Sequence, residues 1–197
     1  MKNAKESLQI LLDGNKRFAE HKSIHPNRCD ETRATLLEQQ NPFAVILSCS
    51  DSRVPTEIIF DVGLGDVFTI RTAGHVLSPE VMGSIEYAVK HLDCKLIMIL
   101  GHDNCGAINS AIKAFNEPNH KASVNLQSIL NHIYPVLEKI PQNQSDILNL
   151  AIKSNVKYQV ADLLKKDEYI AQKVKNDEII VVGANYELKT GLVKILD

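Results

Sequence analysis

The fold is decided by the stretch Phe43-Ala-Val-Ile-Leu47 and the loop that follows it, Ser48-Cys-Ser-Asp-Ser-Arg53. Such a short and unbroken apolar run, rich in β-branched residues, is typical of a strand buried on both faces. A second stretch repeats the arrangement, because Leu96-Ile-Met-Ile-Leu100 runs into Gly101-His-Asp-Asn-Cys-Gly106. Strands of this kind belong to parallel sheets, in which ligands bind beyond the carboxyl ends of the strands.

Strands and helices alternate along most of the remaining chain. We expect further strands at 67–70 and 178–182 and a hairpin at 186–196. Helices are expected at 5–20, 78–91 and 107–115, with a loop and a short helix near 31–38. After a break at 116–119, two or more helices should fill 122–175, interrupted at Pro135 and Pro141. The order predicts an α/β fold with a mainly parallel central sheet flanked by helices, an N-terminal helical arm and a C-terminal edge hairpin. At 197 residues, the chain is expected to form a single domain over 1–197.

Composition excludes several classes of protein. The net charge of −2 and the scattered basic residues argue against a nucleic-acid-binding protein. No apolar run approaches the ~20 residues that span a bilayer, and charges interrupt the N-terminal stretch, so neither a membrane segment nor a secretory signal is expected. A cytoplasmic location is the default, and four cysteines are then read as metal-binding, catalytic or buried rather than disulfide-bonded.

Three of the chemistry-bearing residues leave the two predicted strand ends. Cys49 follows the first strand, and His102 and Cys105 follow the other. Two thiolates and one imidazole suit zinc, and three protein ligands leave the fourth coordination position open. A closed structural site would need another Cys or His. Cys94 lies at the opposite end of its strand, more than ~20 Å away, whereas the sequence does not exclude Cys29.

Asp51 and Arg53 lie in the same loop as Cys49. A carboxylate at this spacing can approach the open metal position, and an arginine two residues further on can hold it in a bidentate pair. Two other readings stay open: an ordinary surface ion pair, or Asp51 as a fourth zinc ligand that closes the site. The Cys-x3-Arg spacing is too short for a cysteine-phosphatase loop and lacks its glycines, so we reject that reading.

With these residues in place, the chain resembles the β-class carbonic anhydrases. The matching segments are Cys-Ser-Asp-Ser-Arg at 49–53, Gly-Asp-Val-Phe-Thr-Ile-Arg-Thr-Ala-Gly at 65–74, Gly-Ser-Ile-Glu-Tyr-Ala-Val at 83–89, Gly-His-Asp-Asn-Cys-Gly-Ala at 101–107 and Val-Val-Gly-Ala-Asn-Tyr at 181–186. The resemblance implies one Zn²⁺ per subunit, bound by Cys49, His102 and Cys105. It further implies reversible hydration of carbon dioxide to bicarbonate and a proton by zinc-bound hydroxide, with Asp51 and Arg53 as the catalytic dyad that orients it.

The resemblance also implies a homo-oligomer, a dimer or a tetramer, in which the helical arm of residues 1–42 packs on a partner subunit. Two departures matter. Many relatives carry a Gln in the segment that matches 61–66, and this chain has none there; it also lacks the Trp on which bicarbonate inhibition depends in some members, so that regulation is not expected. Two alternatives stay open: hydrolysis of carbonyl sulfide or carbon disulfide, and a non-catalytic zinc-binding module.

Overall fold

The computed structural model describes residues 2–117 and 122–196, and its centre is a five-stranded sheet. The strands are β1 Ala44–Cys49, β2 Val67–Thr72, β3 Leu96–His102, β4 Ile180–Tyr186 and β5 Val193–Leu196. They lie in the order β2-β1-β3-β4-β5, with every neighbouring pair parallel except β4 and β5. The predicted α/β fold with a mainly parallel sheet is therefore confirmed.

Helices cover both faces of this sheet. Those in the described residues are α1 Ala4–Ala19, α2 Asp30–Thr35, α3 Thr56–Ile59, α4 Pro79–His91, α5 Gly106–Asn116, α6 Val124–Leu137, α7 Ile147–Lys166 and α8 Glu168–Lys175. α4 begins as predicted, because the Ser78 side chain accepts from the N–H of Val81 and a proline opens the first turn. α3 and a 3₁₀ turn at Ala73–His75 were not predicted. Of the predicted break at 116–119, the described part shows α5 ending at Asn116 with Glu117 after it, and 118 and 119 lie outside the described residues.

Every residue of β1 and β3 is buried, which explains why their sequences are apolar without alternation. Val45 and Leu47 contribute to one core, shared with α4 and α7. Ala44 and Ile46 contribute to another on the opposite face, shared with α1 and α3. Because the two central strands lie between two cores, their carboxyl ends are held rigidly at one edge of the sheet.

The prediction that Pro135 interrupts the helical region is wrong. Pro135 lies inside α6, and the helix continues to Leu137. A proline removes the hydrogen bond of its own N–H and crowds the carbonyl four residues earlier. The helix nevertheless continues because the two residues after the proline, Val136 and Leu137, are buried, and this packing offsets the lost hydrogen bond. Pro141, by contrast, lies between α6 and α7 as predicted.

The C-terminal hairpin is confirmed, with one difference in its strands. Its first strand is β4 itself, which runs to Tyr186 rather than ending near 182, and β5 pairs with it antiparallel. The turn is closed by hydrogen bonds between Glu187 and Leu192 and from Gly191 to Glu187. β5 consequently forms one edge of the sheet.

The N-terminal helix packs on its own chain through one face. Leu11 is fully buried in the core that also contains β1. The Asn15 side chain donates to the carbonyl of Gly191 at 2.8 Å and accepts from the N–H of Val193 at 2.7 Å. The helix is therefore fixed to the C-terminal hairpin. Contact of residues 1–42 with a partner subunit stays a prediction.

The loop at 61–66, which lacks the expected Gln, is fastened to the N-terminal segment instead. The Asp61 side chain is fully buried, and its backbone has a φ of 46°. Its carboxylate accepts from Arg17 Nε at 2.7 Å and from the N–H groups of Ile24 and His25 at 3.0 and 2.9 Å. Asp61 thus joins α1, the segment after it and the loop that precedes β2.

α7 crosses the sheet at close range because two glycines face it. Gly101 in β3 and Gly183 in β4 lie under the side chain of Val156. A Cβ atom at either position would stand only 2.6 or 2.8 Å from a Val156 methyl carbon, closer than packed atoms approach. The close contact brings the side chains of α7 down to the carboxyl end of the sheet.

Candidate metal centre

The three predicted metal ligands meet at the carboxyl edge of the sheet. Cys49 ends β1 and His102 ends β3, and these strands are parallel neighbours. Cys105 immediately precedes α5, so the N–H groups at the start of that helix, on Ala107 and Ile108, point at its sulfur. The side chains of all three residues are buried.

The ligand atoms of Cys49, His102 and Cys105 all lie within 4.8 Å of one another. The two sulfur atoms are 3.9 Å apart. A metal ion could be held among three atoms spaced in this way, and two sulfurs with one imidazole nitrogen form a set that zinc prefers.

The imidazole of His102 is oriented with one nitrogen available. Its Nδ1 lies 2.8 Å from the carbonyl oxygen of Asp103, and since a carbonyl only accepts, Nδ1 carries the proton. In the neutral imidazole, Nε2 is then the unprotonated nitrogen; it is buried and has no hydrogen-bond partner in the described residues. A buried unpaired acceptor beside two thiols is what a metal-binding imidazole presents, and the residues therefore fit a metal.

The two thiols are not equivalent. The hydrogen bond from Cys105 holds the pKa of Cys49 well below its usual range, and the N–H of Gly74 adds to the effect. The Gly74 nitrogen is 3.4 Å from the Cys49 sulfur. The same bond to Cys49, together with burial, raises the pKa of Cys105. The N–H of Gly74 therefore stabilises negative charge on the Cys49 sulfur.

Asp51 and Arg53 form the bidentate pair that their spacing predicts. Arg53 donates from Nε to Oδ1 at 2.9 Å and from its terminal nitrogen to Oδ2 at 2.8 Å, and its backbone N–H also reaches Oδ1. These hydrogen bonds hold the pKa of Asp51 well below its usual range. Asp51 Oδ2 lies 3.9 Å from Nε2 of His102. An ionised carboxylate therefore stands beside the candidate metal position while both of its oxygens bind Arg53.

Three contributors to this site were not predicted as functional. Arg71 in β2 donates to the carbonyls of Cys49 at 3.1 Å and Asp51 at 2.7 Å, and so fixes the loop between them. Asp103 and Gly74 act through a backbone carbonyl and a backbone N–H. All three residues lie in the matching segments, which is a signal that could have marked them. The sequence does not show, however, which backbone groups will point at the site.

The other two cysteines lie elsewhere. Cys94 precedes β3 at the far end of the sheet, as predicted, and its thiol donates to the carbonyl of Pro42 at 3.3 Å. Cys29 is exposed at the start of α2, with its sulfur 3.3 Å from the Thr32 hydroxyl. Neither is among the three clustered ligands.

No helix within residues 2–117 and 122–196 has the length and apolarity needed to cross a membrane.

Comparisons with known proteins agree with this geometry. A family model described as carbonic anhydrase matches residues 44–193. Carbonic anhydrase 2 of Mycobacterium tuberculosis is 37% identical over 189 residues, covering 96% of this chain and 91% of the relative. The carbonic anhydrase of Mycolicibacterium smegmatis is 38% identical over 190 residues, covering 95% and 90%.

A solved structure of a similar protein indicates which class of carbonic anhydrase the chain resembles. The β-carbonic anhydrase of Coccomyxa, in complex with acetazolamide, superposes with a TM-score of 0.75 at 28% identity, covering 96% of this chain and 86% of that one. The matched segments include the strands and loops that carry Cys49, His102 and Cys105. The chain therefore belongs to the β-class carbonic anhydrase family and is a carbonic anhydrase, an enzyme of the lyase type.

Proposed function

We propose that this enzyme catalyses the reversible hydration of carbon dioxide to bicarbonate and a proton, with zinc held by Cys49, His102 and Cys105. The observation that supports this most directly is the unpaired, buried Nε2 of His102, which lies within 4.8 Å of both thiol sulfurs. A non-metal site would leave this nitrogen desolvated at a cost of about 1–3 kcal/mol. The family membership of the chain agrees with the proposed substrate.

The donor set favours zinc over other metals. Thiolates are soft ligands, whereas Mg²⁺ and Ca²⁺ require oxygen. When bound, zinc supplies Lewis acidity, which lowers the pKa of a coordinated water to about 7 at an all-His site. Since two thiolates donate more charge than imidazoles, the effect here should be smaller. Three protein ligands leave room for the reacting water at the fourth position.

Asp51 is proposed to orient the reacting water. Its carboxylate stands 3.9 Å from the ligand nitrogen of His102, and its low pKa keeps it ionised at neutral pH. An ionised carboxylate only accepts hydrogen bonds, so it fixes the direction of the water's proton and turns a lone pair toward the carbon of carbon dioxide. Arg53 holds the carboxylate through two side-chain hydrogen bonds. Arg71 holds the loop beneath it.

The same pair offers a second arrangement of the site. If Asp51 released Arg53 and became the fourth ligand, the water position would be filled and the enzyme would be inactive. Low pH favours this closed state because the competing water is then less ionised. Full activity well below pH 7 would contradict this hypothesis.

We also propose that residues 1–197 act as one domain within a homodimer or homotetramer, and that residues 1–42 contact the partner subunit. Ile24 and Leu37 support this, since these apolar residues are 65% and 81% exposed in the single chain. Sedimentation analysis of the native chain and of Leu37→Glu tests the proposed oligomer, and a monomeric native chain would contradict it.

The four free cysteines support a reducing, cytoplasmic location.

The decisive experiment is stopped-flow hydration of carbon dioxide between about pH 6.5 and 9, with zinc content measured on the same samples. Asp51→Ala should retain zinc but lose hydration activity. Asp30→Ala is the matched control, because Asp30 pairs with Arg33 at 2.9 Å on an exposed helix. It should retain both properties.

The outcomes separate the alternative functions. Unchanged hydration in Asp51→Ala would refute the proposed role of Asp51. A native chain that binds zinc but is inactive on carbon dioxide would be either a hydrolase of the sulfur analogues or a non-catalytic module. Rates on carbonyl sulfide and carbon disulfide distinguish these two.

A further inference from the structure

The turn beside the metal centre has a strained backbone. Gly74 and His75 both have positive φ values, 73° and 46°. The left-handed region suits glycine but is costly for other residues, so His75 needs contacts that hold it there. This conformation directs the N–H of Gly74 to the Cys49 sulfur at 3.4 Å.

Those contacts come from Asn155 in α7, which is fully buried. Its side-chain NH₂ donates to the carbonyl of Gly74 at 3.2 Å and to Nε2 of His75 at 2.9 Å. Burial lowers the pKa of His75 to about 4, so its imidazole is neutral at physiological pH. The NH₂ donor opposite Nε2 selects the tautomer in which Nε2 accepts and the proton lies on Nδ1, which is buried without a hydrogen-bond partner in the described residues. One side chain thus holds both residues of the turn.

The orientation of Asn155 is itself fixed by a second buried amide. Gln159, one helical turn further along α7, donates to Oδ1 of Asn155 at 3.2 Å. Its own oxygen accepts from the N–H of Leu77 at 3.2 Å. Because Oδ1 receives a donor, the NH₂ group of Asn155 must face the turn. Buried amides are costly unless they are fully paired, and these two are paired with each other and with the turn.

We propose that Asn155 is a positioning residue for the metal centre, which holds the Gly74–His75 turn so that the Gly74 N–H hydrogen-bonds the Cys49 thiolate. The inference rests on the proposed role of Cys49 as a zinc ligand. A hydrogen bond to a thiolate withdraws charge from the sulfur. Partners of this kind orient metal ligands and tune the metal, and losing them costs about 10–100-fold in affinity or activity.

The test compares the zinc-loaded native enzyme with three variants. Asn155→Leu has a similar volume but no donor. Gln159→Met leaves Asn155 in place without its anchor, and decides the question if Asn155→Leu does not fold. Leu163→Ala is the control, because Leu163 is buried in the same helix but belongs to the core around α4 and β3.

Zinc affinity is measured by competition with a chromophoric chelator, and the thiolate-to-metal charge-transfer absorption is recorded on enzyme loaded with Co²⁺. Asn155→Leu should bind zinc about 10–100-fold more weakly. Its cobalt band should move to lower energy, since the sulfur holds its electrons less tightly without the N–H. Gln159→Met should show smaller shifts in the same directions, and Leu163→Ala neither.

A folded Asn155→Leu or Gln159→Met with native zinc affinity and an unmoved cobalt band would overturn the proposal and leave Asn155 a residue of the core. Neither readout depends on turnover. An inactive native enzyme would therefore refute the proposed hydration while the positioning role is still decided by zinc affinity and the cobalt band.

Discussion

Replacing Asp61 by Asn should destabilise the fold far more than the change of one atom suggests. The Asp61 carboxylate is fully buried and accepts from Arg17, from the Ile24 N–H and from the His25 N–H. An asparagine has one accepting oxygen and one donating NH₂. If this oxygen continues to accept hydrogen bonds from Arg17 and from the Ile24 N–H, the NH₂ group faces the His25 N–H. Two donors then oppose each other.

The loss has two parts. A hydrogen bond to a charged acceptor contributes about 1.5–3 kcal/mol, and the bond from His25 is lost. Breaking a buried ion pair costs about 3–5 kcal/mol, but the Arg17 side chain is 32% exposed, so that part is smaller here. We expect the free energy of unfolding to fall by about 3 kcal/mol. The positive φ of Asp61 does not confound this, because Asn tolerates the left-handed region as well.

Urea unfolding measures this loss, and Asp66→Asn is the matched control. Asp66 lies in the same loop but is only half-buried, and its carboxylate accepts from neutral donors, the Asn27 side chain and the Gly63 N–H. We expect it to cost about 1 kcal/mol, with the slope of unfolding against urea unchanged in both variants. If Asp61→Asn cost no more than Asp66→Asn, our reasoning on the buried carboxylate would be refuted.

The pH dependence gives a further check on Asp61. Burial opposes ionisation, but hydrogen bonds from Ile24, Arg17 and His25 outweigh it, so that the folded pKa is lowered. A lowered folded pKa contributes stability that is present above the unfolded value of about 3.9 and is lost as pH falls through the folded value. The difference between native chain and Asp61→Asn should therefore shrink in acid. A difference that stayed constant would contradict this.

Three shorter predictions concern the metal centre and the free thiols. Zinc at 100 times its dissociation constant should stabilise the protein by about 2.7 kcal/mol. The midpoint of thermal unfolding should therefore rise, and EDTA should reverse the rise. An unchanged midpoint would exclude a zinc site that forms only in the folded state. Because Arg53 lowers the pKa of Asp51, the ¹³C shift of its carboxyl should keep its ionised value down to about pH 4, and a transition above that pH would disprove the bidentate pair. Burial raises the pKa of Cys94 to about 12, so iodoacetamide should alkylate it only after unfolding, and Cys94→Ala should keep its full zinc content.

Much of the fold could be predicted from the sequence because local patterns determine it. The apolar runs of β1 and β3 are buried on both faces, and Ser78 caps α4 as its type suggests. The error at Pro135 has a different cause. The helix continues past the proline because Val136 and Leu137 are buried, and the sequence around Pro135 does not show this packing.

The candidate ligands could be predicted because thiol and imidazole groups are rare and their chemistry is specific. Their support could not, because it depends on long-range contacts and backbone geometry. Asn155 reaches the turn at Gly74 from 81 residues further along the chain, and nothing in its neighbourhood marks it. Asp61 likewise looks like an ordinary loop residue until the fold brings Arg17 and the segment after α1 to it.

The two glycines beneath Val156 determine how closely α7 packs on the sheet. Since they let α7 rest directly on β3 and β4, the thickness of one helix–sheet layer determines how far the Asn155 amide reaches toward the turn. A methyl group at Gly101 or Gly183 would lift the helix by a fraction of an ångström, comparable to the margin between a good and a poor hydrogen bond. The geometry of the turn beside the candidate metal centre therefore depends on a packing distance that two residues without functional groups determine.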